Sequence, residues 1–325
     1  IILGSYGGTV DFDFGPSVSN LIKLGNSEGF VLSITSSGGF NWVKRIGLSN
    51  FAGGTIPACY VNTHKLFIKP NNEIIVAGNW SGFFGYDNQI LNATNQSGSA
   101  ATKKDGFVLF LNTDGTLQQF VSLDGIPLSG ITIPDMTFTG IDADSKGDLY
   151  LSGNCSGWYD FAPGTGQTDI WSSQYNEGFV WKLNANGDYK EKWILYSNSH
   201  ELTRDLQISG DKVHMIGSLY GDSMDIDPSP AKHMLYKNTY SDFDGYLTVV
   251  DTSGSFLWGS QYAGSGSQIP RKLLLDAEAN IYVAGTFSGA LDLDPDPINT
   301  FIVNRPTGAT NSFIQKLDNS GQFVW

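Results

Sequence analysis

A Gly-x-x-x-Gly step recurs five times along this chain, at Gly4/Gly8, Gly78/Gly82, Gly153/Gly157, Gly217/Gly221 and Gly285/Gly289. Each step follows a short apolar run, and the first glycines stand 74, 75, 64 and 68 residues apart. Each leads into an aspartate-bearing segment: Asp11-Phe-Asp13, Tyr86-Asp87, Tyr159-Asp160, Asp225-Ile-Asp227 and Asp292-Leu-Asp294. Downstream come an acidic or polar residue, a small residue and an aromatic: Glu28-Gly-Phe30, Asp105-Gly-Phe107, Glu177-Gly-Phe179, Asp244-Gly-Tyr246 and Asn311-Ser-Phe313. A recurrence of this kind marks a repeat architecture, in which each unit buries its faces against its neighbours. Residues 1–325 are therefore read as one array, with repeats at about 1–64, 65–136, 137–202, 203–270 and 271–325.

Each unit holds four strand-like runs, and no long helical period interrupts them. The first run is Lys65–Lys69, Thr137–Asp142, Arg204–Ile208 and Lys272–Asp276. The second runs into the Gly-x-x-x-Gly step, and the third starts at the aromatic of the acid-small-aromatic triplet. The fourth follows a turn ending in Gly38, Gly115, Gly187, Gly254 or Gly321, and often carries a tryptophan: Trp42, Trp193, Trp258 or Trp325. Asn71-Asn72, Ser145-Lys-Gly147 and Gly210-Asp211 tolerate positive φ and suit tight turns between runs one and two. Aromatics at 13% and charged residues at only 16% suit short strands joined by turns. The expected fold is all-β: a propeller of four-stranded antiparallel blades, five in this chain. The first blade lacks its innermost strand, because the chain opens on a second strand at Ile1-Ile-Leu-Gly4. An unpaired strand edge is unfavourable, which leads to the expectation that the chain is a piece of a longer protein.

The last unit carries the pattern most fully. Ile281-Tyr-Val-Ala-Gly-Thr-Phe-Ser-Gly-Ala-Leu-Asp-Leu-Asp-Pro295, then Ser312-Phe-Ile-Gln-Lys-Leu-Asp-Asn-Ser-Gly-Gln-Phe-Val-Trp325, resembles the bacterial β-propeller repeat. That repeat is common in secreted and surface proteins, many of them from Bacteroidetes. The likeness covers nearly the whole chain and is weakest in the second unit, where Gly85-Tyr-Asp87 replaces Asp-x-Asp-Pro. It implies a fold and an extracellular or cell-surface setting, and it fixes no activity. The sialidase Asp-box does not match, since Asp251 and Asp318 stand three residues before Gly254 and Gly321 rather than two.

Composition narrows the partners. A net charge of -13 leaves little room for a phosphate-binding surface, so nucleic acid is excluded as a partner. No window approaches 18 consecutive apolar residues, so no transmembrane segment is expected. Cys59 and Cys155 have no CxxC partner and read as buried small side chains, a disulfide being the alternative.

Antiparallel alternation puts the tight turns at one end of each unit and the long loops at the other. Long loops on a rigid scaffold carry function, so the ligand face is expected there. Those loops hold the aspartate pairs Asp11 and Asp13, Asp225 and Asp227, Asp292 and Asp294. Carboxylates at i and i+2 are candidate ligands for Ca²⁺; alternatively they cap turns by accepting backbone N–H bonds. Beside them stand Trp80, Trp158, Tyr159 and Trp171, candidates for stacking on sugars, although packing between blades is the more frequent role of such rings. His64, His200, His214 and His233 share no metal-ligand spacing, and no nucleophile elbow or phosphate loop is present. No catalytic residue is assigned. The expected function is a noncatalytic extracellular binding or adhesion module, or a component of a surface assembly, recognising a glycan or protein on a cell surface. The alternative is a secreted polysaccharide hydrolase or lyase, whose carboxylate pair would form across blades and leave no local spacing.

Overall fold

The computed structural model describes residues 1–48, 59–92, 103–126, 133–162, 169–237, 241–296, 298–304 and 309–325. The chain is all-β, and no helix occurs among the described residues. Accordingly no helix there is long and apolar enough to cross a membrane. Contacts divide the chain into two compact units. One holds residues 1–138 and 157–172; the other holds 139–156 and 173–325.

In the first unit, strands Ile2–Tyr6, Glu28–Ile34 and Phe40–Gly47 form a three-stranded antiparallel meander. Strands Cys59–Ile68, Ile74–Gly82, Asp105–Leu111 and Leu117–Ile126 form a four-stranded one. The second unit repeats that order. Its fourth-repeat meander runs Glu201–Ser209, Lys212–Leu219, Ser241–Asp251 and Phe256–Tyr262. Its fifth runs Gly264–Leu275, Ile281–Phe287 and Asn311–Leu317, and a bridge from Leu317 to Phe323 supplies the start of a fourth strand.

The sequence motifs turn out to be two halves of one contact. Gly4 pairs with Phe30, Gly78 with Phe107, Gly217 with Tyr246 and Gly285 with Phe313, each across strands two and three. A Cβ on Gly78 would meet the Phe107 ring at 2.6 Å, and one on Gly285 would meet the Phe313 ring at 2.6 Å. The glycine therefore makes room for the aromatic, which lies flat on the neighbouring strand. The acid that precedes this aromatic is buried, and three repeats share its partner. Glu28 accepts from the Leu48 N–H (3.2 Å), Asp105 from Gly125 (2.8 Å) and Glu177 from Ser197 (3.4 Å), always 20 residues on. That bond ties the exit of strand four back to the start of strand three, where an unpaired buried amide would cost about 1–3 kcal/mol.

The first strands are longer than the sequence pattern indicates. They begin at Cys59, Glu201 and Gly264 instead of Lys65, Arg204 and Lys272. Each carries a bulge, at His64, Arg204 and Arg271, where the register shifts by one residue. A bulge resets the period-2 alternation, so only the half after it reads as a strand. Described parts of the long connections also hold short strands. The span from Leu291 to Ser312 contains a hairpin of Ala290–Asp292 with Ile302–Asn304. Equivalent hairpins join Thr9–Asp11 to Asn20–Ile22 and Ser223–Asp225 to Met234–Tyr236. Three-residue strands are too short to show periodicity.

Candidate functional site

These hairpins account for the aspartate pairs. In each, the first carboxylate accepts two backbone N–H bonds through Oδ1. Asp11 takes them from Asp13 (3.1 Å) and Ser19 (2.8 Å). Asp225 takes them from Asp227 (3.1 Å) and His233 (2.9 Å), and Asp292 from Asp294 (3.1 Å) and Phe301 (2.8 Å). The second aspartate continues the pattern: Asp13 accepts from Gly15, Asp227 from Ser229 and Asp294 from Asp296. Asp160 does the same for Ala162 and Asp169. Capping gives these carboxylates a role without an ion. Among the described residues no three His, Cys, Asp or Glu side chains gather as a metal set.

The four candidate stacking rings all belong to the first unit. Trp80 is wholly buried against Phe84 (4.9 Å), Phe120 (5.9 Å) and Phe107 (6.4 Å). Tyr159 is wholly buried and its hydroxyl donates to the Lys104 carbonyl at 2.7 Å. Neither ring offers a face to solvent in this structure, and both take the packing role that is the more frequent one for such rings. Both packed positions gain far more from burial than from stacking on a solvated sugar. Trp158 and Trp171 are half-buried, Trp158 standing opposite Ile126 in the sheet.

The second unit holds a cleft that the motifs do not announce. It is lined by Asn176, His200, Leu202, Ser218, Tyr220 and Phe243, with a volume of about 280 Å³. Ser218 and Tyr220 lie at the end of a second strand, His200 and Leu202 at the start of a first and Phe243 at the start of a third, while Asn176 lies within the strand Ile170–Leu183 and reaches His200 through its backbone N–H. The cleft therefore opens at the long-loop end, where binding is expected. The Tyr220 and Phe243 rings meet at 5.2 Å with a 46° tilt, and Tyr220 is 49% exposed. The Lys237 ammonium stands 5.4 Å from the Tyr220 ring centre. His200 accepts the Asn176 N–H on Nδ1 (3.2 Å) and packs edge-on to Tyr175 at 5.4 Å. That bond places the proton of a neutral imidazole on Nε2. Ser218 accepts from Arg204 Nε at 2.9 Å, and burial with the nearby Arg271 pulls the Arg204 guanidinium below its usual range.

Comparing the repeats shows which residues are unusual. The position three after the first glycine is Gly7, Ser81, Ser156 and Ser288 elsewhere, but Tyr220 in the fourth repeat. The position before the acid is Ser27, Lys104, Asn176 and Thr310 elsewhere, but Phe243 in the fourth. Two aromatic departures in one repeat meet each other in the cleft. That was the signal available in the sequence, and it lay in what broke the pattern.

A carboxyl pair lies beside the same cleft. Glu201 and Glu177 are buried and share a hydrogen bond. Ser197 donates its hydroxyl to Glu201 and Ser173 donates to Glu177 at 3.1 Å. Burial, then the hydrogen bond and charge of Glu177, push the Glu201 carboxyl far above the usual range. Glycoside hydrolysis by a carboxyl pair needs separations of about 5 Å or more and access to the sugar. Two buried groups in direct contact provide neither. His64 and His214 are likewise inward, burial holding both at about 4. Cys59 and Cys155 are buried free thiols. No protein-family model matches the chain, and no curated protein sequence matches it.

Proposed function

We propose that this chain is a noncatalytic glycan-binding module of a secreted or cell-surface protein, with the Tyr220–Phe243 cleft as its ligand site. The observation that carries the proposal is the pairing of two repeat-breaking aromatics at an exposed strand end. A fold-forming position gains nothing from an exposed tyrosine where glycine or serine serves in every other repeat. An apolar ring face flanked by an amide, an imidazole and a hydroxyl suits a sugar, which offers C–H faces and hydroxyls together. About 280 Å³ lies at the small end of ligand sites, so the cleft takes a terminal sugar unit rather than a long chain.

Four repeats with equivalent glycine–aromatic pairs support the propeller reading, with four-stranded blades and function carried at the long-loop end. The resemblance to the bacterial repeat supports the extracellular setting. A glycan array, followed by a reducing-sugar assay on each hit, tests the proposal. Binding without product release is expected. Binding should disappear in Tyr220→Ser, which installs the residue three other repeats carry, with the melting temperature unchanged. Product release, or binding indifferent to Tyr220→Ser, would overturn it, the former in favour of a secreted hydrolase or lyase.

A further inference from the structure

One position of the first strand seats the next repeat in two cases and not in a third. In the second repeat, His64 accepts the Phe138 N–H on Nδ1 at 3.1 Å, and Phe138 lies on the first strand of the third repeat. In the third, Thr139 and Thr203 share a hydrogen bond between hydroxyls at 3.2 Å, and Thr203 lies on the first strand of the fourth. The fourth repeat places Arg204 there, and the matching residue of the fifth is Pro270. Proline has no N–H to give, and arginine has no acceptor to offer it. Among the described residues Arg204 makes no hydrogen bond to the fifth repeat.

Arg204 is half-buried, and its guanidinium uses Nε alone, on the Ser218 hydroxyl at 2.9 Å. No carboxylate pairs with it among the described residues, in a chain with 32 acidic residues. Arg45 is held differently: it bonds the Tyr6 hydroxyl and two carbonyls and lies 3.8 Å from Glu28. Arg271, at the bulge of the fifth first strand, donates Nε to Thr286 at 3.2 Å, as Arg204 does to Ser218. Burial and the Arg271 charge both disfavour the Arg204 cation. An anion beside Arg204 relieves both costs. Ser218 is a wall of the Tyr220–Phe243 cleft, so Arg204 stands one hydrogen bond behind it. A further cation, Lys237, stands at the Tyr220 ring.

Resting on the cleft as the glycan site, we infer that its sugar is acidic, with a carboxylate or sulfate reaching past Ser218 to the terminal nitrogens of Arg204. The guanidinium fork donates in parallel to two oxygens of such a group, a match that a neutral hydroxyl does not offer.

The test is an array of glycans ending in glucuronate, galacturonate, sialic acid or a sulfated hexose, each beside its neutral counterpart. Acidic members should bind the wild-type chain about 10-fold or more tightly than their counterparts, the worth of a hydrogen bond to a charged group. The carboxylated and sulfated members tell the two anions apart. Added NaCl should weaken the acidic members alone. Arg204→Gln should abolish the acidic preference, and Arg204→Lys, which keeps the charge without the fork, should retain part of it. Melting curves check folding, and the salt dependence of the wild type carries the test if neither variant folds. Equal binding of acidic and neutral members, or a preference undiminished in folded Arg204→Gln, overturns the acidic sugar. If that binding is still lost in Tyr220→Ser, the cleft remains the site. Acidic binding lost in Arg204→Gln but kept in Tyr220→Ser, or an array without a hit, overturns the cleft and its acidic sugar together.

Discussion

At the scale of single residues, polar side chains in this protein hold backbone in place, and two of them make sharp predictions. Asp292 Oδ1 caps the fifth-repeat hairpin through Asp294 and Phe301. Asp292→Ala should cost about 1.5–3 kcal/mol in urea unfolding, the usual range for hydrogen bonds to a charged group. Asp292→Asn keeps the acceptor and should recover most of it, with no dependence on calcium or chelator. If Asn is as damaging as Ala and chelation lowers wild-type stability equally, the pair holds an ion instead. Glu201 gives the pH dependence. Its carboxyl binds a proton more tightly folded than unfolded, because burial and Glu177 disfavour the charged form. Its stabilising contribution is therefore complete below the ordinary glutamate value of about 4.3 and is lost as pH rises above it. One such group changes stability by about 1.4 kcal/mol per pH unit. Glu201→Gln should accordingly gain on the wild type from pH 5 to pH 8 by up to that slope. Parallel stability profiles would mean that Glu201 is ionised in the folded chain.

At the scale of the element, the repeat was legible and its irregularities were not. The glycine and aromatic of each unit are visible as motifs because close backbone approach leaves no alternative residue, as Gly78 beneath Phe107 shows. Strands two and three follow from these anchors. The leading halves of the first strands escaped notice because the bulges at His64, Arg204 and Arg271 invert the alternation. The outer hairpins escaped because their strands are three residues long. The cleft escaped because Tyr220 and Phe243 differ from the motif instead of forming one, and Trp80 drew attention that belongs to its core. The turn glycines test the packing reading. Gly254 has a φ of 85° and the Trp193 Nε1 lies 2.8 Å from its Cβ position. Gly254→Ala combines left-handed strain with a steric clash, so it should cost about 1–3 kcal/mol. Gly210→Ala, with a φ of 62° and open space around it, carries the strain alone and should cost less. Equal costs measured by chemical unfolding would remove the indole contact from the account.

At the scale of the whole molecule, the repeats supply the strand ladders, and one departure among them supplies the cleft proposed as the ligand site. A scaffold of strand ladders tolerates change at its strand ends, because the glycine–aromatic pairs and buried acids that hold it lie elsewhere. The fourth repeat uses that tolerance to expose Tyr220 against Phe243, with Ser218, His200 and Asn176 around them. The measurement that tests this most directly is calorimetric titration of a glycan hit into three proteins. These are the wild type, the double variant Tyr220→Ser, Phe243→Thr, and Trp158→Ala as a control in the other unit. A binding anchor is worth about 2 kcal/mol or more, which is about 30-fold in Kd. The account predicts at least that loss in the double variant and wild-type affinity in Trp158→Ala. Undiminished binding by the double variant, or loss confined to Trp158→Ala, would contradict it.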